Sequence, residues 1–320
     1  MKGGKNVLGP NTGQPTIGGR RTSKGRRKLL NREEKWYGYA FVMPMLLGYF
    51  FFLFGPIVAS FAMSFTNWNL LDELKFIGLD NYRNAFFGDP VLLDTLSNTL
   101  YFTILFVPLN IMLTLGLALL MQASIPGMGF FRTAAFAPVV TSIVVWAIIW
   151  KYIFQTDNGL INAVLKTFGV TGPAWLYSME LAIPVVVVVS LLKSLGINMA
   201  IFLAALKDVP MMYYEAARID GASRWRAFWH VTLPLISPSM FLVTMITIIG
   251  SMKVFGQIYI MTGGGPGTST YVMVYYIYEQ AFKYYEFGYG TAIAFILFVI
   301  ILLLTLVQWY GRKRWIHFEQ

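Results

Sequence analysis

The chain of 320 residues has no cysteine, which excludes disulfides, thiol catalysis and cysteine-ligated zinc. Its two histidines, His230 and His317, stand far apart and argue against a histidine-rich metal centre. Charge is scarce: 12% of residues are Asp, Glu, Lys or Arg, about half of the ~25% usual in soluble domains. Hydrophobic residues make up 57% and the mean hydropathy is +0.59. Too few polar side chains remain to cover a soluble core of this size. An aromatic fraction of 17% and 29 glycines suit membrane spans. The fold class expected is an all-α polytopic membrane protein.

A span needs about 20 mostly apolar residues. Six stretches qualify, at about 37–66, 97–121, 133–154, 181–206, 235–261 and 288–310. Pro44 and Gly55-Pro56 predict a tilt or kink in the first. The basic residues sort unevenly: ten precede the first span, and Arg132, Lys207, Arg218, Arg224, Arg226 and Arg312–Arg314 fall in loops on the same side. The opposite loops hold Lys75, Arg83, Lys166 and Lys283. Excess positive charge marks the cytoplasmic side, so both termini are expected there. This gives a basic N-terminal tail at 1–36, a transmembrane domain at 37–310 with its longest cytoplasmic loop at 207–234, and a basic tail at 311–320. The N-terminal run Gly18–Lys28 is read as a disordered tail that holds the terminus inside rather than a nucleic-acid or anionic-lipid patch. No removable signal peptide is expected.

A second scarcity narrows the mechanism. None of the 15 carboxylates falls within an expected span, whereas ion-coupled carriers usually keep one there to bind and release the driving ion. Uphill transport by this chain would therefore draw energy from another. The Gly-rich segment Thr262–Thr270 lacks the Gly-Lys-[Ser/Thr] ending that cradles nucleotide phosphates, and reads as a tight turn after the fifth span. No Gly-x-Ser-x-Gly occurs and the outer carboxylates form no convincing catalytic pair. No catalytic residue and no metal ligand is assigned.

The cytoplasmic loop carries the strongest local signal. Asp208 and Pro210 signal a helix start. Val209, Met212, Ala216 and Ile219 recur on one apolar face. Gly221 suits a left-handed helix stop, and Ser223 can cap a second short helix bearing Trp225, Phe228 and Trp229. The result is a helix–glycine–helix elbow. Its Ala216 and Ala217 would let another surface approach closely, and Glu215 could make a charge-assisted contact. An amphipathic helix lying on the membrane is the alternative.

Glu215-Ala-Ala, three residues, Gly221, nine residues, Val231, one residue and Leu233-Pro234 resembles the EAA loop of permease subunits of bacterial ATP-binding-cassette importers, with Val231 where that pattern has Ile. Glu215–Ala222, Gly78–Arg83 and Met261–Pro266 are similar to the carbohydrate branch, and the likeness runs from about Trp36 to Tyr310. Its short first outer loop, about Asn67–Leu96, is more similar to multiple-sugar and glycerol-phosphate importers than to the maltose importer's first membrane subunit. The resemblance implies the type I importer fold in the bacterial cytoplasmic membrane. It implies a second, non-identical permease subunit, two cytoplasmic ATPases that bind ATP and Mg, and an external solute-binding protein. This chain would bind no cofactor. Glu215, Ala216, Ala217 and Gly221 would form the ATPase-coupling contact, supported by Asp220 and Ala222.

For the solute path the spans offer candidates. Ser190, Lys193, Ser194 and Asn198 share a helical face in the fourth span, and Lys253 and Gln257 share one in the fifth. Asn110 and Trp146 are weaker candidates in the second and third. Each could line a watery path or bond a neighbouring helix. A sugar or oligosaccharide is the expected cargo. A phosphorylated polyol is the alternative, on the strength of Lys193 and Lys253; a secondary carrier and a membrane-embedded glycosyl-transfer enzyme are the remoter ones.

Overall fold

The computed structural model describes residues 23–69, 73–123 and 126–315, with side chains described from 36 to 312. The expected basic tails fall largely outside these. Two units separate, Met1–Ala59 and Ser60–Gln320. Among the described residues four helices are long and apolar enough to cross a membrane, or six if each of two bent pairs counts as one span.

The first unit holds α1 (Ser23–Tyr49), one widened stretch at Phe50–Phe54 and the start of α2 (Gly55–Met63), whose last residues from Ser60 on belong to the second. The kink signal at Gly55-Pro56 explains the widening. Pro56 has no N–H to donate and its ring crowds the carbonyl four residues back. The helix relaxes by adding a residue to the turn, with Gly55 N–H donating to Phe50 O. The same device recurs before Leu233-Pro234, described below.

After the end of α2 the second unit has a loop that α3 (Asp80–Phe87) locks shut. Asn81 Nδ2 donates to Ser64 O and Thr66 O at 2.8 and 2.9 Å, and Tyr82 OH meets Ser64 Oγ at 2.7 Å. Helix α4 (Pro90–Met121) starts well ahead of the expected Ser97. Asp89 accounts for this: its Oδ1 accepts from Val91 N and Leu92 N at 2.9 and 3.3 Å, and Pro90 takes the first helical position. Its other oxygen, Oδ2, accepts from Tyr276 and Tyr289, each at 2.5 Å. The longer helix also takes in Asp94, exposed near its start.

The third expected span is not one helix. It is α5 (Met128–Val140) and α6 (Ile143–Ile153), bent by 102° at Thr141-Ser142. Helix α7 (Leu160–Thr167) follows, and then α8 (Ala182–Asp208), the centre of the bundle. Its run Val185–Val187 and Val189 is buried; these branched residues are mediocre helix formers whose place is secured by packing. Helix α9 (Met211–Ile219), α10 (Arg224–Ala227) and α11 (Leu233–Leu235) make the elbow, which meets α12 (Ser237–Met252) at a 69° bend. The fifth expected span is also divided: α12 ends at Met252 and α13 (Gly256–Met261) begins afresh. Glycines flank the break, and Gly256 lies so close to α6 that an added Cβ would meet Ile143 at 3.3 Å. After α14 (Met273–Tyr278) and a widened stretch at Glu279–Lys283, α15 (Phe287–Trp315) closes the chain.

Helix α4 threads all three hydrophobic clusters, through Leu92, through Phe102 and Phe106, and through Leu115 and Ala118. The Gly-rich segment forms the turn its composition announced. Gly263 and Gly264 adopt φ of +59° and +84°, and a Cβ on Gly264 would stand 2.4 Å from the Tyr271 ring.

Candidate functional site: a polar cleft and an exposed elbow

Six of the eight residues expected along a solute path come together. Ser190, Lys193, Ser194 and Asn198 from α8, and Lys253 and Gln257 from the α12–α13 break, line one open cleft of about 410 Å³ with Thr247, Ser251 and Phe255. The break matters: unwinding after Met252 turns Lys253 and Gln257 toward α8. Asn110 and Trp146 are not among the lining residues. Asn110 is fully buried behind it, donating to Ser194 Oγ at 2.6 Å and accepting from Asn198 Nδ2 at 2.6 Å. Asn198 Nδ2 also reaches Thr247 Oγ1 at 3.2 Å, so α4, α8 and α12 are stitched together under the cleft. Trp146 donates its indole N–H to Val189 O at 3.0 Å and packs on the core.

The two lysines differ sharply. Lys193 Nζ donates to Pro138 O, to Val139 O at 3.2 Å and to Thr141 O at 2.5 Å. It thereby adds to the bond Pro138 O already accepts from Thr141 N at 3.3 Å and satisfies the Val139 and Thr141 carbonyls where α5 ends at the 102° corner, with a cation at the negative end of the helix. Beside it Gly196 brings α8 against α5: a Cβ there would stand 2.9 Å from Phe136 Cα. Lys253 is exposed in the cleft and has no hydrogen-bond or ion-pair partner among the described residues. Ser190 Oγ, buried in the same wall, is likewise unpartnered among them. Among the described residues the cleft thus presents one unpaired cation, Lys253, and the amide of Gln257, with the unpartnered Ser190 hydroxyl buried in its wall.

At the other end of α8 and α12 stands the elbow. Pro210 sits one position before α9, with extended backbone. Gly221 takes φ +73°. Its N–H donates to Arg218 O at 3.0 Å, and Ala222 N–H donates to Ala217 O at 2.8 Å, the paired bonds of a Schellman stop. Ser223 Oγ accepts from Arg226 N at 3.3 Å. Ahead of Leu233-Pro234 the helix widens over Phe228–Thr232. Glu215, Ala216, Asp220 and Gly221 are exposed; Ala217 and Ala222 are half-buried. Most of the apolar face read from the sequence is left bare, with Met212 67% and Ile219 87% exposed, while Val209 packs against the hydrophobic cluster that holds Phe202 and Leu206. One tie was not legible: Tyr214 OH meets Thr232 Oγ1 at 3.0 Å and joins the two arms.

Sequence reading also missed a buried carboxylate. Glu279 accepts from Lys283 at 2.7 Å and from the hydroxyl of Tyr271, and Tyr275 OH lies 3.0 Å away. Burial pushes its carboxyl up, but the hydrogen bonds and the Lys283 charge outweigh this and hold it below the ordinary carboxylate range. The i, i+4 spacing of Glu279 and Lys283 was the available signal.

Residues 87–316 match the family of binding-protein-dependent transport system inner membrane components. The chain belongs to that family. It is 34% identical over 292 residues to a probable ABC transporter permease protein of Bacillus subtilis, YesP, covering 90% of this chain and 94% of the relative. It is 34% identical to the arabinooligosaccharides transport system permease protein AraP of the same organism, covering 84% and 86%. In fold it is similar, with a TM-score of 0.80 and 24% identity over 90% of this chain and 99% of the other, to a bacterial ABC transporter involved in the import of the acidic polysaccharide alginate. The chain is therefore a transporter permease subunit and not an enzyme, and it has the fold of a type I importer permease.

Proposed function

We propose that this permease carries a sugar or oligosaccharide across the bacterial cytoplasmic membrane by alternating access around the cleft, driven by partner ATPases that grip the elbow. The observation that carries the reading is the convergence of Lys253 and Gln257, with the Ser190 hydroxyl buried in the wall beside them, in one open cleft, none of the three side chains having a hydrogen-bond partner among the described residues. Hydroxyl-rich solutes need such donors and acceptors beside an apolar wall. The arabinooligosaccharide relative supports the sugar class. A phosphorylated polyol loses half its rationale, because Lys193 spends its ammonium on backbone carbonyls.

In this scheme a solute-binding protein delivers cargo at the face away from the elbow, and a second, non-identical permease subunit completes the path. Two ATPases bind ATP and Mg on the cytoplasmic side, where both termini, the 1–36 tail and the 311–320 tail lie. Their closure pushes Glu215, Ala216, Ala217 and Gly221, with Asp220 and Ala222 holding the turn. Helices α8 and α12, which flank the elbow, pass the movement to the cleft.

Glu215→Ala tests the coupling. Membrane insertion stays near normal while ATPase association and transport fall; unchanged association and unchanged transport would remove the elbow from the mechanism.

A further inference from the structure

The cleft does not end at its polar residues. Phe255, part of its lining just past the end of α12, begins a run of aromatic rings carried by α13, α14 and the widened stretch Glu279–Lys283. Phe255 stacks on Tyr259 with centroids 5.4 Å apart and approaches Tyr278 at 5.3 Å. Tyr259 and Tyr278 meet edge to face at 5.2 Å, and Tyr278 stacks on Phe282 at 5.6 Å. Phe255 packs against the core and Tyr278 is half-buried, but Tyr259 is 46% and Phe282 61% exposed. Tyr278 OH points to Tyr259 OH at 3.5 Å on the exposed side, so the ladder carries hydroxyls as well as ring faces.

We propose that Phe255, Tyr259, Tyr278 and Phe282 form an outward extension of the solute cleft, a stacking track on which successive rings of an oligosaccharide lie while its leading ring enters the polar cleft. The inference rests on the sugar reading above and deepens it. A saccharide ring has an apolar C–H face that suits an aromatic surface and a rim of hydroxyls that needs polar partners, and tyrosines supply both at low entropic cost. At about 410 Å³ the cleft lies near the lower end of small-ligand sites, which run from roughly 300 to 1,000 Å³. A longer chain must continue beyond it, and the ladder starts from its wall.

The test uses the whole transporter, with both permeases, ATPases and binding protein, in proteoliposomes. Uptake is followed for labelled mono-, di- and trisaccharides of arabinose, galactose and glucose. The wild type is expected to take up a trisaccharide of one series. Tyr259→Leu with Tyr278→Leu should lower that uptake about tenfold, the effect of losing about two favourable ring contacts. Monosaccharide uptake and basal ATPase rate should stay unchanged, and Tyr278→Phe, which keeps the ring, should retain most trisaccharide uptake. Equal loss for every sugar length, or no loss, would overturn the track. So would loss of ATPase stimulation by sugar-free binding protein, which would make the ladder a protein-docking face. A wild type importing monosaccharides alone overturns the track and leaves the sugar reading standing. One that imports no saccharide overturns both.

Discussion

In the elbow, Glu215, Ala216, Asp220 and Gly221 stand exposed on a turn closed by its own backbone. In the cleft, Lys193, Ser194 and Asn198 spend hydrogen bonds on helices 49 to 84 or more positions away in sequence, such as the Asn198–Thr247 and Asn110–Ser194 pairs. The elbow is complete in one short segment and leaves these side chains exposed. The cleft is assembled from distant segments, and part of its polarity serves assembly. A polar residue within a span therefore reveals its task only when its partners are known.

That contrast can be broken from either side, and the largest effect is expected at Lys193. Lys193→Met strands the carbonyls of Val139 and Thr141 at the corner between α5 and α6 and leaves Pro138 O with its Thr141 N–H bond alone. A destabilisation of about 2–3 kcal/mol should follow, seen as a lower melting temperature of the detergent-solubilised permease, with transport lost alongside. Unchanged melting with lost transport would return Lys193 to the solute path.

Next comes Gly221→Ala. The left-handed backbone at φ +73° admits a Cβ only with strain, costing about 1–2 kcal/mol. Because the turn is exposed, the fold should survive while coupling suffers: transport falls several-fold, with normal insertion measured by membrane fractionation. A fully active variant would mean that the shape of the turn is not transmitted.

The smallest effect is expected at Lys253, whose charge has no partner among the described residues. Lys253→Met should leave melting within about 0.5 kcal/mol of wild type and raise the solute concentration needed for half-maximal uptake. A loss of stability comparable to Lys193→Met would erase the distinction between the two lysines.

The elbow was legible because each of its signals is local: Gly221 supplies a positive φ, Ser223 a cap, and Leu233-Pro234 a forced adjustment of the preceding turn. The long apolar helices were legible for the same reason. The breaks at Thr141-Ser142 and Lys253–Phe255 were not. Two hydroxyl residues at the first and a single lysine at the second do not by themselves mark a break in a span, and what permits the first is Lys193 arriving from another helix to bond the carbonyls at the corner. The anchors Asp89 and Glu279 escaped notice in a similar way, since most of their partners are tyrosine hydroxyls, some far along the chain. Of the residues expected to line a path, Asn110 and Trp146 were separated from the others by burial and by the direction of their hydrogen bonds rather than by residue type.

The absence of cysteine makes one experiment unusually direct. A single cysteine placed by Ala216→Cys is then the only thiol in this chain, and a short thiol-to-amine crosslinker can be applied to the assembled transporter with and without a non-hydrolysable ATP analogue. Elbow-driven coupling predicts a crosslink from position 216 to an ATPase subunit whose yield changes when nucleotide binds. A thiol that reacts freely with a membrane-impermeant maleimide from the external face, and never crosslinks to the ATPase, would contradict it.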